Sequence, residues 1–112
     1  MLAKAKSRYV RVSPYKLRPI IDVIRGCTVE KALAFLKTHG VARVTPVQKL
    51  VESAFANAKN LHSDIVSESD LLVKEIRVDQ GPTIKYFKPA AMGRASVQRK
   101  RLSHIEVVLD KK

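Results

Sequence analysis

Apolar residues recur at helical spacing in three segments, and residues that start or end helices bound each segment. The first helix is predicted between Ser13-Pro14 and Gly26. The second follows Thr28, and the third begins at Thr45-Pro46. Pro19 lies past the first turn of the first helix, where a proline removes a backbone hydrogen bond, so we expect a kink there. The predicted buried stripes are Leu17, Ile20, Ile21 and Ile24; Val29, Ala32, Leu33 and Leu36; and Val47, Leu50, Val51, Ala54, Phe55 and Ala58.

The patterns between and after these helices predict three strands, at Ala5 to Val12, Leu71 to Gln80 and Leu102 to Asp110. Tyr9 and Arg11 are expected on the outer face of the first strand, because Val10 and Val12 alternate with them. The polar segment from 62 to 70 is typical of a loop.

The last two strands can form one hairpin with a defined register. Pairing Ile76 with Val107 also pairs Val78 with Ile105, so the apolar side chains of both strands fall on one face, as a buried face requires. Carried outward, this register puts the tip of the hairpin between residues 91 and 92, unless a bulge shifts the pairing by one residue.

These elements predict an α+β fold, with three helices packed on a three-stranded antiparallel sheet and two strands extended as a long basic β-hairpin. We expect a single domain over residues 1–112, with a globular body at 1–80 and 102–112. Residues 81–101 form the extended part of the hairpin, called the arm below. With about ten residues on each side, the arm is expected to reach on the order of 30 Å.

Charge is concentrated in two segments that contain no acid. The formal net charge is +12, and both 1–18 and 81–101 carry six Lys and Arg each, while the rest of the chain has ten basic and ten acidic residues. A balanced domain with two acid-free basic segments indicates a footprint on nucleic-acid phosphate. The predicted RNA-binding residues are Lys4, Lys6, Arg8, Arg11, Lys16, Arg18, Lys85, Lys88, Arg94, Arg99, Lys100 and Arg101, with Tyr86 able to stack on a base.

Several other classes of function have no support in the sequence. Cys27 is the single cysteine, so an internal disulfide is excluded and a metal cluster is not expected. No apolar run approaches the roughly 20 residues that span a bilayer, and a secretory signal is not apparent. Paired acids, a nucleophile with its base and a Gly-rich phosphate loop are also missing. We therefore predict no enzymatic activity, no metal, no cofactor and no membrane partner.

The order and spacing of several short motifs resemble one universal family of ribosomal proteins, the twenty-second of the large subunit in the bacterial numbering. The motifs are RYVR at 8–11, SPYK at 13–16, IRG at 24–26, SA at 53–54, ANA at 56–58, GPTIK at 81–85, MGRA at 92–95, KR at 100–101 and SHI at 103–105. Each is unspecific alone, and it is their combined order over nearly the whole chain that carries the resemblance.

This resemblance implies a structural protein that binds large-subunit (23S-type) ribosomal RNA and aids its folding and assembly. The body would lie near the outer mouth of the nascent-peptide exit tunnel, and the arm would run inward, with Ile84 and Lys85 along it. Neighbouring large-subunit proteins, transient contact with the nascent peptide, a monomeric state within the ribosome and a cytoplasmic location are implied as well. The residues implied for the tunnel tip are Pro89, Ala90, Ala91, Met92, Gly93 and Arg94.

The chain departs from the family pattern at three positions. Tyr86 and Ala90 stand where arginines are expected, and Pro19 stands where an aliphatic residue is expected. Two other classes of function compete with the ribosomal one. One is a free-standing nucleic-acid module, such as an RNA chaperone or a transcription-linked regulator, and a weaker one is an enzyme acting on RNA.

Overall fold

A computed structural model describes residues 3–62, 67–89, 91–93 and 95–111. Within these ranges the sheet has the order β1-β3-β2, with both pairings antiparallel. The predicted α+β class, with three helices and a three-stranded antiparallel sheet, is confirmed. The elements are β1 (Ala3–Val10), α1 (Pro14–Ile24), α2 (Val29–His39), α3 (Thr45–Leu61), β2 (Leu71–Pro89) and β3 (Ala95–Lys111), with 3-10 turns at Ala42–Val44, Glu68–Asp70 and Ala91–Gly93.

The helix boundaries follow local chemistry that is visible in the sequence. Thr28 caps α2, and its side chain accepts a hydrogen bond from the backbone N–H of Lys31. Gly40 ends α2 in the left-handed conformation, with φ of 73°. Pro19 lies inside α1, which nevertheless continues to Ile24, because the buried side chains of Leu17, Ile20, Ile21 and Ile24 anchor it on the core.

The predicted register of the hairpin is confirmed from Glu75 to Gln80, and it shifts by one residue on either side, at Lys74 and at the base of the arm. Ile76 pairs with Val107 as expected. Between the pairs Gln80–Ser103 and Thr83–Arg101, two residues of β2 face one residue of β3, which is a β-bulge. The bulge moves the centre of the turn from between residues 91 and 92 to Met92 itself, whose φ is 63°.

β1 is displaced from its predicted limits, because it begins at Ala3 and ends at Val10. Its pairing with β3 is irregular between Ser7 and Val10, where Tyr9 adopts a φ of 58°. The backbone N–H of Tyr9 donates to Nδ1 of His104 over 3.2 Å, which occupies a donor that the ladder no longer uses. The irregularity explains why alternation in the sequence placed the strand two residues too late.

One core fills the space between the three helices and one face of the sheet. The other face of the sheet carries paired charges, with Glu106 lying 3.3 Å from Arg77 and 4.0 Å from Lys6. The molecule measures 64 × 25 × 17 Å and has a radius of gyration of 17.1 Å, against about 13 Å for a compact domain of about 100 residues. The largest fully buried side chains are Leu17, Ile21, Ile24, Leu36, Leu71, Ile76, Ile105, Leu109, Val29, Val47, Val51 and Val73.

Candidate nucleic-acid interface

A groove of about 1030 Å³ lies where the arm leaves the body. The last pair between β1 and β3 joins Val10 to Ser103, so β1 no longer covers β3 beyond this point. Among the described residues that line the groove, six are cations and none is a carboxylate, and we call it the basic groove. The lining residues are Arg11, Val12, Ser13, Lys16, Val41, Ala42, Arg43, Ile84, Tyr86, Arg99, Lys100, Arg101 and Leu102.

The segment that follows β1 and the first turn of α1 line the basic groove opposite the arm. The buried hydroxyl of Ser103 donates to the backbone carbonyl of Val12, which fixes the chain where it turns away from the sheet. Arg11 lies in that turn and Lys16 lies in the first turn of α1, and both residues line the groove. The predicted residues Arg11, Lys16, Arg99, Lys100 and Arg101 are therefore brought together, although they come from both ends of the chain.

The two faces of the arm differ in chemistry. Opposed residues of an antiparallel pair share a face, so Lys85 and Arg99 lie together. Arg101 belongs to the next pair on that same face, toward the body. The opposite face holds Tyr86 and Lys100, and the ammonium of Lys100 lies 5.5 Å from the centroid of the Tyr86 ring. This cation–π contact places a positive charge and an aromatic ring side by side, an arrangement suited to a phosphate and its base.

A second depression, of about 510 Å³, runs along the outer edge of β1. Lys4, Lys6 and Arg8 line it, and the side-chain amide of Asn57 donates to the backbone carbonyl of Lys4 over 3.1 Å. Glu106 also lines this depression and lies 4.0 Å from the ammonium of Lys6. Lys6 is therefore the least suited of the three cations to a phosphate, because a carboxylate already offsets its charge.

The remaining predicted residues either line neither depression or lie outside the described part of the structure. Arg18 is exposed on α1 but lines neither of these two depressions. Lys88 lies on β2, but its side chain, like that of Ala91, is outside the described part of the structure. Ala90 and Arg94 are themselves outside the described residues.

The described part of the tip is strongly exposed. Met92, at the centre of the turn, is 98% exposed, and Pro89 and Gly93 on either side of it are exposed as well. The tip thus presents an unbranched apolar side chain at the far end of a basic arm.

Arg43 is a groove residue that the sequence reasoning missed. It belongs to the 3-10 turn Ala42–Val44, which brings it opposite the arm. A signal was present, because residues 31–51 hold four Lys and Arg and no acid. The helical period of this segment predicts its apolar stripes but does not reveal its charge.

A metal site and a membrane-spanning helix have no support among the described residues. Among them, no cluster of three or more His, Cys, Asp or Glu side chains is positioned to hold a metal ion. In the same part of the chain, every helix is too short or too polar to cross a membrane.

Comparison with known proteins identifies the family. The family model described as ribosomal protein L22p/L17e matches residues 5–110. The chain is 51% identical over 110 residues to the large ribosomal subunit protein uL22 of Desulfitobacterium hafniense (strain Y51), covering 98% of this chain and 95% of that relative. It is 48% identical over 112 residues to the protein of the same name from Clostridioides difficile (strain 630), covering 100% and 99%.

These comparisons confirm the resemblance carried by the short motifs. They also account for the missing catalytic constellation, since the family is a structural, non-enzymatic component of the ribosome. The chain belongs to the ribosomal protein L22p/L17e family.

Proposed function

We propose that this protein binds large-subunit ribosomal RNA through the basic groove and the arm, and that it aids the folding and assembly of that RNA. The single observation that carries the proposal is the groove itself, where six cations from separate parts of the chain converge without a carboxylate among the lining residues. Each cation that meets a phosphate releases condensed counterions, so such a surface gains affinity for RNA in proportion to its contacts.

Recognition is expected to depend on the shape of folded RNA. Basic arms contact phosphates and riboses, which position a protein without reading sequence. Arg11, Arg99 and Arg101 add planar guanidinium groups, which bind phosphate with two hydrogen bonds or stack on bases. Tyr86 sits where the family pattern has an arginine, and its ring beside Lys100 supports stacking as the replacement for a phosphate contact.

The arm is proposed to enter the wall of the nascent-peptide exit tunnel. An isolated hairpin is marginally stable in water, and surrounding RNA would supply the contacts that the arm lacks. Its tip would be formed by Pro89, Ala90, Ala91, Met92, Gly93 and Arg94, with transient contact to the nascent peptide. In this arrangement the protein is a monomer within the cytoplasmic ribosome and has other large-subunit proteins as neighbours.

Sedimentation of cell extracts tests the ribosomal assignment. We expect the protein to sediment with the large subunit and to remain there after a high-salt wash, because many phosphate contacts are buried together in an assembled particle. A free-standing RNA module would leave the particle in that wash, and this result would contradict the proposal.

Site-specific photocrosslinking tests the placement of the arm. A photoreactive residue at Met92 is expected to crosslink to large-subunit RNA and, in translating ribosomes, to nascent peptide. A photoreactive residue at Lys74 serves as the control, because Lys74 lies in β2 at the end remote from the arm. Equal nascent-peptide crosslinking from both positions would rule out a specific tunnel position for the tip.

A further inference from the structure

A second concave site, separate from the arm, lies between α1 and α2. It has a volume of about 360 Å³, and we call it the α1–α2 notch. Tyr15, Pro19 and Val23 line one wall at intervals of four residues along α1. Phe35 and His39 line the α2 wall, with ring centroids 5.2 Å apart and planes tilted by 37°.

The notch exposes apolar surface that the fold does not cover. The side chain of Tyr15 is 83% exposed and that of Val23 is 52% exposed. Both belong to a helix whose opposite face is fully packed in the core. Tyr15 therefore contributes little to the stability of the body, and packing does not explain why an aromatic side chain stands at this position.

The notch is continuous with the basic groove. Lys16 and Arg43 line both of them, so the two cations stand at the junction. An RNA backbone held in the groove would pass these cations, and a base on the adjoining nucleotide would lie beside the notch.

We propose that the α1–α2 notch holds one unpaired nucleobase of the RNA strand whose phosphates lie in the basic groove. This inference rests on the proposed function, because it requires RNA in that groove. Tyr15 would stack on the base, the Phe35–His39 pair would close the other side, and Lys16 and Arg43 would hold the flanking phosphates.

The size and charge of the site favour a base over a segment of protein. A volume of about 360 Å³ is at the lower end of the range of about 300–1,000 Å³ typical of small-ligand pockets. Its polar rim is cationic, and no carboxylate is among the described residues that line it. Base–aromatic stacking accepts any base, while the neighbouring cations demand an anion, and a nucleotide supplies both features.

Pro19 leaves a backbone acceptor on the α1 wall of the notch without its helical partner. Pro19 has no N–H, so the backbone carbonyl of Tyr15 cannot receive the hydrogen bond that residue i+4 normally donates in a helix. Both residues line the α1 wall of the notch. A donor on the base could use this acceptor, whether an exocyclic amino group or the ring N–H of an unpaired uracil or guanine.

Binding of deproteinised large-subunit ribosomal RNA to the purified protein provides the test. Tyr15→Ala is expected to weaken the affinity about tenfold, while leaving its dependence on salt unchanged because no charge is removed. Tyr15→Phe keeps the ring and should retain the affinity. Leu61→Ala is the matched control, since Leu61 is 69% exposed and lines neither the groove nor the notch.

Ultraviolet crosslinking from the wild-type protein locates the base directly. We expect one unpaired nucleotide of the ribosomal RNA to crosslink through Tyr15. Wild-type affinity of Tyr15→Ala for the naked RNA would overturn the inference, and a loss seen only in particles that contain other proteins would assign the notch to a protein neighbour. Failure of the wild-type protein to bind the RNA would instead reject the proposed function.

Discussion

The absence of a side chain at Gly81 permits β2 to approach β3 closely at the base of the arm. A Cβ atom at this position would lie 3.1 Å from the carbonyl oxygen and 3.2 Å from the carbonyl carbon of Leu102. These are backbone atoms of the paired strand, so they cannot rotate away as a side chain would. The close approach occurs inside the bulge that shifts the register of the arm.

Gly81→Ala should therefore destabilise the body. Overpacking costs about 1–3 kcal/mol, and the stiffer unfolded chain returns about 0.4–1 kcal/mol. The expected net loss is about 1 kcal/mol in the free energy of unfolding, measured by urea denaturation. Amide resonances of Leu102 and His104 should shift as well, because both residues contact this position.

Gly93→Ala is the matched control for this substitution. Gly93 has a φ of 74°, but an added Cβ would meet no atom within 4 Å. Its strain would be confined to the turn at the tip, so the unfolding of the body should be unchanged within error. A Gly81→Ala protein as stable as the wild type would show that close packing against Leu102 does not constrain this position.

For single residues, the sequence predicts which side chains form the basic surface better than it predicts backbone conformation or close contacts. The basic residues of the groove other than Arg43 were predicted from the absence of acids near them, and Arg11, Lys16 and Arg99 do meet in one place. The role of Gly81 and the positive φ of Tyr9 were not predicted, because each depends on a neighbour in another strand. A one-dimensional pattern carries no information on such approaches.

Among the elements, α1 contains a conflict between local propensity and packing. Pro19 removes one helical hydrogen bond, yet the helix continues because Leu17, Ile20 and Ile21 are buried on either side of it. The sequence predicted this helix correctly, since its apolar period and both end signals agree. The proline is consequently a local cost that tertiary contacts offset.

Pro19→Ala is expected to stabilise the protein by about 1–3 kcal/mol, because it restores the hydrogen bond and removes the poorest helix former. Thermal or urea unfolding measures this gain. Pro14→Ala is the control, because a proline at the first helical position has no hydrogen bond to restore and Pro14 is buried, so this change should not increase stability. If the two substitutions change stability equally, the interior position of Pro19 has no special cost.

The hairpin shows where prediction from sequence fails at the level of elements. The apolar pattern fixes the pairing of Val78 with Ile105, because a slip by one residue would expose the buried face of β2. Beyond Gly81 no buried face enforces a register, and the bulge displaces every later pair by one residue. The position of the turn at Met92 follows from that bulge and not from the local sequence.

In the whole molecule, acids lie beside bases on the exposed face of the sheet, and the excess of positive charge lies elsewhere. The exposed face of the sheet pairs its acids with bases, as in the contact of 3.3 Å between Lys74 and Asp110. The basic groove lies at the other end of β2, where no acid is among the lining residues. The net charge of +12 is thus concentrated on the surfaces proposed to meet RNA, and binding should depend on where a charge lies and not only on the total.

Substitution of charges at the two ends of the hairpin tests this point. The double variant Arg99→Gln, Arg101→Gln should reduce the slope of log affinity for ribosomal RNA against log salt concentration by about 2, since each lost phosphate contact contributes about 1. Lys74→Gln removes a cation that is already paired with Asp110, so its slope should equal that of the wild type. Titration of the purified variants at several salt concentrations measures all three slopes. An equal loss per charge at both ends would mean that net charge alone attracts RNA, whereas a loss confined to the arginines locates the phosphate contacts in the groove.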